Sequence, residues 1–439
     1  MLSYPVRIAL IAALGGFLFG FETVVISGAE ETLQHLWDLG KVAHGFTVAS
    51  SLLGTVLGSL VAGFPARRYG RKKTLQVIAL FFIVAALGCA FASAWGLFIC
   101  FRIIGGLAVG ASSVIAPMYI SEISPASMRG RLAGSFQVNI VVGIMVAYLT
   151  NYIFTHLQLP DAWRWMLGVM VVPSVIFSLL LFGIPESPRW LILNEQEPVA
   201  IPILQRLGET NINAAVTAIR DSVKTHQESL FQRRYAKPIV YAMLLAMFNQ
   251  LSGINAILYY APRIFEMAGF SKSQSFIQPI FVGAANLLFT LLAMTVIDKF
   301  GRKTLLIIGS LGTMLFLGLT AWVFHGTISS HNNLLVYLIG FIAFFAFSQG
   351  AVIWVFISEI FPNAVRSQGG SLGSSTHWIM AAIIAWVFPI IVQGSVQGGF
   401  YCFVFFTIMM FLQLIFIWRA MPETKGRTLE EIQKDLGIS

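Results

Sequence analysis

The sequence predicts an all-α membrane protein: twelve transmembrane helices arranged as two six-helix bundles of similar design. Three observations predict it. Of the 439 residues 57% are apolar and only 11% charged, with a mean hydropathy of +0.80, which lies outside the range of soluble domains. Apolar stretches of about 20 residues, the length that crosses a bilayer, recur twelve times. The chain also repeats itself once: Ser121-Glu122-Ile123 returns as Ser358-Glu359-Ile360 and Pro185-Glu186-Ser187 as Pro422-Glu423-Thr424, both 237 positions later. Tyr69-Gly70-Arg71-Lys72-Lys73 is matched by Phe300-Gly301-Arg302-Lys303, 231 positions later. A single repeat over half the length describes two similar halves.

The twelve stretches fall near 7–28, 43–65, 75–93, 95–119, 132–155, 165–184, 238–262, 276–298, 303–325, 333–361, 369–394 and 399–420. They are too long to be the ~10-residue alternating strands of a closed barrel, so helices are predicted. Six helices return the chain to its starting side, which makes the second half a parallel repeat of the first. The expected organisation is an N-terminal bundle over 1–184, a linker over 185–237, a C-terminal bundle over 238–421 and a tail over 422–439. In the linker, Ile201, Ile203, Leu204 and Leu207 stand at helical intervals among mixed charges, which predicts short amphipathic helices at the interface.

A net charge of +9 invites a nucleic-acid reading, but its distribution excludes one. With both termini inside, Lys41, Arg164, Arg263 and Lys272 fall outside and Arg102 within a helix, leaving 23 of the 28 Lys and Arg on the cytoplasmic side. That asymmetry orients a membrane protein. Cys89, Cys100 and Cys402 all lie in apolar stretches, with no spacing for a disulfide or a metal site. The first apolar stretch lacks a small-residue cleavage site and is expected to be a retained helix. No Asn-x-Ser/Thr sequon occurs, which fits a bacterial inner membrane.

Polar groups at membrane depth are costly and mark function. Glu22 in the first helix and Arg102 in the fourth are ionisable. A buried carboxylate is stabilised by a nearby guanidinium or by a proton, so a pair that is made and broken is a proton switch; the alternative is a permanent structural ion pair. Gln137, Asn249, Gln250, Asn255, Asn286, Trp354 and Trp378 form an uncharged set, with His377 beside them as a hydrogen-bonding or titrating group. Amides donate and accept as sugar hydroxyls do, and aromatic faces cover the C–H side of a sugar ring. The competing reading is hydrogen bonding between helices. Gly253, set in Asn249-Gln250-Leu251-Ser252-Gly253-Ile254-Asn255, predicts a bend in the seventh helix. No nucleophile–base pair or metal cluster suggests an enzyme, and no cofactor is expected beyond a proton as coupling ion.

Together these residues resemble the sugar porters of the major facilitator superfamily over nearly the whole chain. The motifs that carry the resemblance are Gly15-Gly16-Phe17-Leu18-Phe19-Gly20-Phe21-Glu22, the 63–73 loop, Arg102-Ile103-Ile104-Gly105-Gly106 and Glu122 with Arg129. Further along come Pro185 to Leu191, Gln250 with Gly253-Ile254-Asn255, Asp298 to Lys303, Glu359 with Arg366, and Pro422 to Arg427. The resemblance implies a transporter that works by alternating access and functions as a single chain in the bilayer. It implies that Gln137, Gln250, Asn255, Asn286 and Trp354 contact the sugar, that Tyr260 and Trp378 line the cavity, and that Asn249 stands where the family has a first glutamine. The acid of the first helix marks proton symporters, where it is Asp; here it is Glu22, one methylene longer. Arg67 replaces the usual Asp/Asn of the first loop, and Ala351 a proline before Trp354. Ile144, where xylose symporters carry Gln, tilts the reading toward a hexose such as glucose.

The doubled loop charges predict a cytoplasmic gate. Arg71, Glu122, Arg129, Glu186, Asp298, Arg302, Glu359, Arg366 and Glu423 are expected to form ion-pair networks that join the halves when the inside is closed. Such pairs are individually weak and can bias a two-state equilibrium without freezing it. The expected activity is proton-coupled sugar symport. A facilitator with Glu22 always paired, a pentose symporter and a transport-dead sensor are its rivals.

Overall fold

A computed structural model describes residues 3–125, 128–221, 228–325, 333–362, 364–392, 396–427, 429–436 and 438. The described residues are helical with no strand, and twelve helices are long and apolar enough to cross a membrane. They run Tyr4–Gly28, Lys41–Val61, Arg71–Phe91, Trp95–Ile123, Arg129–His156 and Ala162–Phe182 in the first half. In the second half they run Arg233–Tyr259, Lys272–Val296, Arg302–His325, Leu334–Ile360, Arg366–Val392 and Gln397–Ala420. Many of their large apolar side chains are exposed, Phe91, Leu179, Phe182 and Trp418 among them. A surface of that composition suits lipid, where leaving apolar groups outward costs nothing.

Three described spans break along their length, the sixth between Gly168 and Val171, and the breaks in the seventh and tenth position polar groups. The seventh divides into Ala236–Leu251 and Ile254–Tyr259 around Gly253, whose φ of +81° is left-handed. A Cβ there would also lie 2.4 Å from the Phe406 ring, so glycine is required twice over. The tenth divides into Leu334–Phe347 and Gln349–Ile360 at Ser348 (φ −121°, ψ −84°). The loss of the proline at Ala351 therefore does not straighten this helix, since the break lies three residues earlier.

Contacts divide the chain into two compact units. One comprises Met1–Thr23, Leu53–Ala147 and Arg164–His226; the other comprises Val24–Leu52, Tyr148–Trp163 and Gln227–Ser439. The ends of the first, second and fifth spans thus pack with the second half of the sequence. In the first unit the linker forms short helices over Pro188–Leu193, Glu197–Arg206 and Ile212–Asp221. Leu191, Ile192, Ala200, Leu204 and Val216 make their common core. The chain end is not a free tail: the helix Leu429–Leu436 buries Ile432 and Leu436, with Ile438, against Phe356, Ile360 and Met421.

Candidate transport site and gates

In the first unit the two ionisable residues at membrane depth meet. Arg102 Nη1 lies 2.5 Å from Glu22 Oε1, and both side chains are almost wholly buried. Gly105, one turn beyond Arg102, makes room for the acid: a Cβ there would stand 2.8 Å from Glu22 Oε1. The extra methylene of Glu over Asp is accommodated because this position carries no side chain. Arg102 Nε and Nη2 are buried without a hydrogen-bond partner among the described residues. A guanidinium held by one contact, with donors unspent, is costly as a purely structural element. Gln137 lies in the same unit, half-buried on the fifth span.

The second unit gathers most of the amides and aromatics. Gln250 Nε2 donates to Asn249 Oδ1 at 2.9 Å, and Asn255 Nδ2 donates to Gln250 Oε1 at 2.7 Å. The amide of Gln250 also lies 3.1 Å from His377 Nε2. His377 in turn packs against both indoles, with ring centroids 4.9 Å from Trp354 and 4.8 Å from Trp378. Gly253 causes this gathering, because its left-handed turn brings Asn255 back onto Gln250. Trp354 remains partly open, at 37% exposure, beside the hydrogen-bonding amides. Two residues of the expected set stand apart from these contacts. Asn286 Oδ1 lies 3.5 Å from the Thr290 hydroxyl on its own helix. Tyr260 donates to the Ala385 carbonyl at 2.9 Å and packs on the Phe388 ring, tilted by 33°.

The doubled loops build two matching networks, one in each unit. Arg71 grips Glu122 with two hydrogen bonds, Nε to Oε2 at 2.9 Å and Nη2 to Oε1 at 2.8 Å. Arg302 Nη2 holds Glu359 Oε1 at 3.0 Å. Glu186 accepts the backbone N–H groups of Arg71 at 2.9 Å and Lys72 at 3.1 Å, while Glu423 accepts those of Arg302 at 2.9 Å and Lys303 at 3.1 Å. Each carboxylate caps the start of a helix, where free N–H groups and the helix dipole favour an anion. Gly70 and Gly301 are needed for this. Their φ values are +95° and +86°, and a Cβ would come within 2.2 Å and 2.6 Å of the capping carboxylates.

Glu186 and Glu423 accept from backbone N–H groups of their own half; the pairing expected to join the halves belongs to the form with the inside closed. Burial pushes Glu186 above the usual carboxylate range despite three such donors. Burial also acts on Glu423, but four backbone N–H groups outweigh it and hold the acid below that range. Arg366 Nε donates to the Phe361 carbonyl at 3.3 Å, and Arg129 is exposed at the start of the fifth span. Asp298 lies on the helix Lys272–Phe300, but its side chain is outside the described residues.

Sequence reasoning missed two hydroxyls. Ser187 Oγ donates to Glu122 Oε2 at 2.6 Å, and Thr424 Oγ1 donates to Glu359 Oε2 at 2.6 Å. The signal was available, since the repeat keeps a hydroxyl after each Pro-Glu pair.

Residues 8–436 match the family model described as "Sugar (and other) transporter". The chain belongs to this family. It is therefore a multi-pass membrane transporter of the sugar porter group, within the major facilitator superfamily, and not an enzyme. Among curated relatives, the arabinose-proton symporter of Bacillus subtilis (strain 168) is 36% identical over 99% of this chain and 95% of that protein. The glucose transport protein of Synechocystis sp. is 35% identical over 98% of this chain and 97% of that one. Among solved structures, a partially occluded inward open conformation of the xylose transporter XylE from E. coli superposes with a TM-score of 0.86. It is 34% identical, covering 97% of this sugar porter and 99% of XylE. The three relatives carry three different sugars at near-equal identity, so likeness alone does not choose among them.

Proposed function

We propose that this sugar porter is a proton-coupled symporter working by alternating access, with a hexose such as glucose as its substrate. The observation that carries the proposal is the buried Glu22–Arg102 pair, a single contact with unspent guanidinium donors. At membrane depth the carboxylate is stable either against Arg102 or carrying a proton. Protonation of Glu22 frees Arg102, and return of Arg102 expels the proton. Sugar is held by the amides of Gln250, Asn249 and Asn255, with Trp354 and Trp378 against its C–H face and His377 fixing Gln250. Gln137 and Asn286 are carried as sugar contacts by the resemblance alone. Buried Ile144, where a second glutamine would suit a pentose, favours a hexose. The Arg71–Glu122–Glu186 and Arg302–Glu359–Glu423 networks brace the cytoplasmic ends of each half so that it moves as a unit. Both termini face the cytoplasm of a bacterial inner membrane, and one chain suffices.

Uptake into proteoliposomes with and without an imposed pH gradient tests this reading. Wild type accumulates labelled glucose when the sugar-side solution is acid, and unlabelled glucose competes better than xylose or arabinose. Glu22→Gln still exchanges sugar across the membrane but does not concentrate it. A wild type indifferent to the gradient is a facilitator, and preferential competition by xylose makes the substrate a pentose.

A further inference from the structure

Nothing in the transport reading uses a buried acid at the membrane face opposite the termini. Glu30 opens the short helix Glu30–Leu36, just after the first span, and is 2% exposed. His44, at the start of the second span, is fully buried with Nε2 at 2.5 Å from Glu30 Oε2. Arg263, on the helix Ala261–Met267 after the seventh span, reaches the same oxygen at 3.1 Å and Gln34 Oε1 at 3.2 Å. Glu30, Gln34 and His44 come from the first half of the sequence and Arg263 from the second, yet all belong to one compact unit. The Tyr260 ring stands edge-on to His44, and Glu31 with Lys272 lies farther out at 3.9 Å.

We infer that Glu30 and Arg263 form a latch that holds this face closed and sets the balance between closed and open forms. The inference rests on the alternating-access reading in one respect, that this face must open. Beside the exposed Glu31–Lys272 contact, two neutral hydrogen bonds across the same junction end on backbone carbonyls: Tyr148 Oη to Leu258 at 2.8 Å and Trp386 Nε1 to Val42 at 3.0 Å. The ion pair is shielded on the Glu30 side, where charge interactions are strong. Arg263 is the releasable partner, because its side chain keeps 20% exposure and can return to water. Glu30 is not stranded when it goes. The buried His44 ring, with Nε2 at 2.5 Å from Glu30 Oε2, stays beside it, so opening leaves the carboxylate with a polar neighbour. An acid with one permanent partner from its own half and one removable partner from the other half is built to be reversible.

Maleimide labelling of purified protein in detergent, without sugar or a proton gradient, tests the latch. The probe site is Leu258→Cys, a buried position on the seventh span at this junction, with labelling of the three native cysteines measured on its parent and subtracted. Glu30→Gln and Arg263→Met should each accelerate labelling by about fivefold or more, the low end of ordinary coupling between conformational states. The double variant should label no faster than the faster single, because both remove one contact, and Arg263→Lys should stay within about twofold of the parent. Arg263→Gln, at a partly exposed position, serves as a second neutral variant for folded protein. Unchanged labelling in both neutral Arg263 variants overturns the latch, as does a double variant that multiplies the two single effects. Loss of proton-driven uptake by wild type would instead overturn the transport reading and leave the labelling result standing.

Discussion

A methyl group at position 105 would meet Glu22 Oε1 at 2.8 Å, so the proposed proton switch depends on a residue with no functional group. Gly105→Ala is expected to displace the carboxylate and lower gradient-driven uptake by about 10-fold or more, in the range that misplaced reacting groups lose. Sugar exchange without a gradient should fall less. The same assay on Gly106→Ala controls for helix crowding. A second residue-scale prediction concerns Glu266, at the face opposite the termini, where burial and then the nearby Glu31 push its carboxyl to about 7. The native form then holds a proton more readily than the unfolded chain. The stability this acid allows is present at low pH and declines as pH rises from its ordinary range toward 7. Glu266→Gln should raise the thermal midpoint at pH 8 and leave it nearly unchanged at pH 5, as read by fluorescence-detected melting at both values.

At the scale of elements, breaks in helices matter more than the helices themselves. The seventh span carries its amides into one cluster because Gly253 turns left-handed there. Gly253→Ala combines the ~1–2 kcal/mol cost of a left-handed non-glycine residue with a Cβ placed 2.4 Å from Phe406. It should weaken sugar binding by at least about tenfold in a tryptophan-fluorescence titration. The helix starts at Arg71 and Arg302 are the second case, each capped by a glutamate from a distant stretch of the same half. Ser187→Ala and Thr424→Ala remove one hydroxyl from each network, and Ser187 also caps the helix Pro188–Leu193 through the Trp190 N–H. A cap is worth about 0.5–2 kcal/mol, so Ser187→Ala should lower the melting midpoint more than Thr424→Ala. Equal shifts would assign both hydroxyls to the carboxylates alone.

The charge pattern predicts how the whole molecule is oriented, and that orientation is testable without sugar. Lys and Arg concentrate in the loops that share a side with the termini, as retention of cations in the cytoplasm requires. A green fluorescent protein fused after Ser439 should fluoresce, and alkaline phosphatase fused there should be inactive. Alkaline phosphatase fused after Asp38, between the first two spans, should be active. The reverse pattern would invert the membrane sidedness assigned to the latch and to both loop networks.

Element number, helix class and the doubled loops were legible in the sequence because lipid imposes length and polarity on each span independently of its neighbours. The Glu22–Arg102 pair was legible for the same reason: two charges at membrane depth have few ways to be stable. The bend at Gly253 could be read from a glycine among amides. Other features were not readable. The break at Ser348 lacks a proline or glycine at the breaking residue, and the docking of Ile432 and Leu436 against Phe356 and Ile360 depends on a partner surface remote in the chain. The loop charges show why pairing is harder to read than presence. Each residue of Arg71, Glu122, Glu186 and their repeats was found from the sequence, but whether a carboxylate meets a distant guanidinium or a backbone N–H depends on distances of an ångström. Gly70 and Gly301 decide that by turning each helix start toward its own half. The sequence by itself determined what crosses the membrane and which polar groups must find partners there. Only the tertiary structure decided which partners they find, because solvation by lipid acts on each residue alone whereas hydrogen bonds and ion pairs act between residues far apart in the chain.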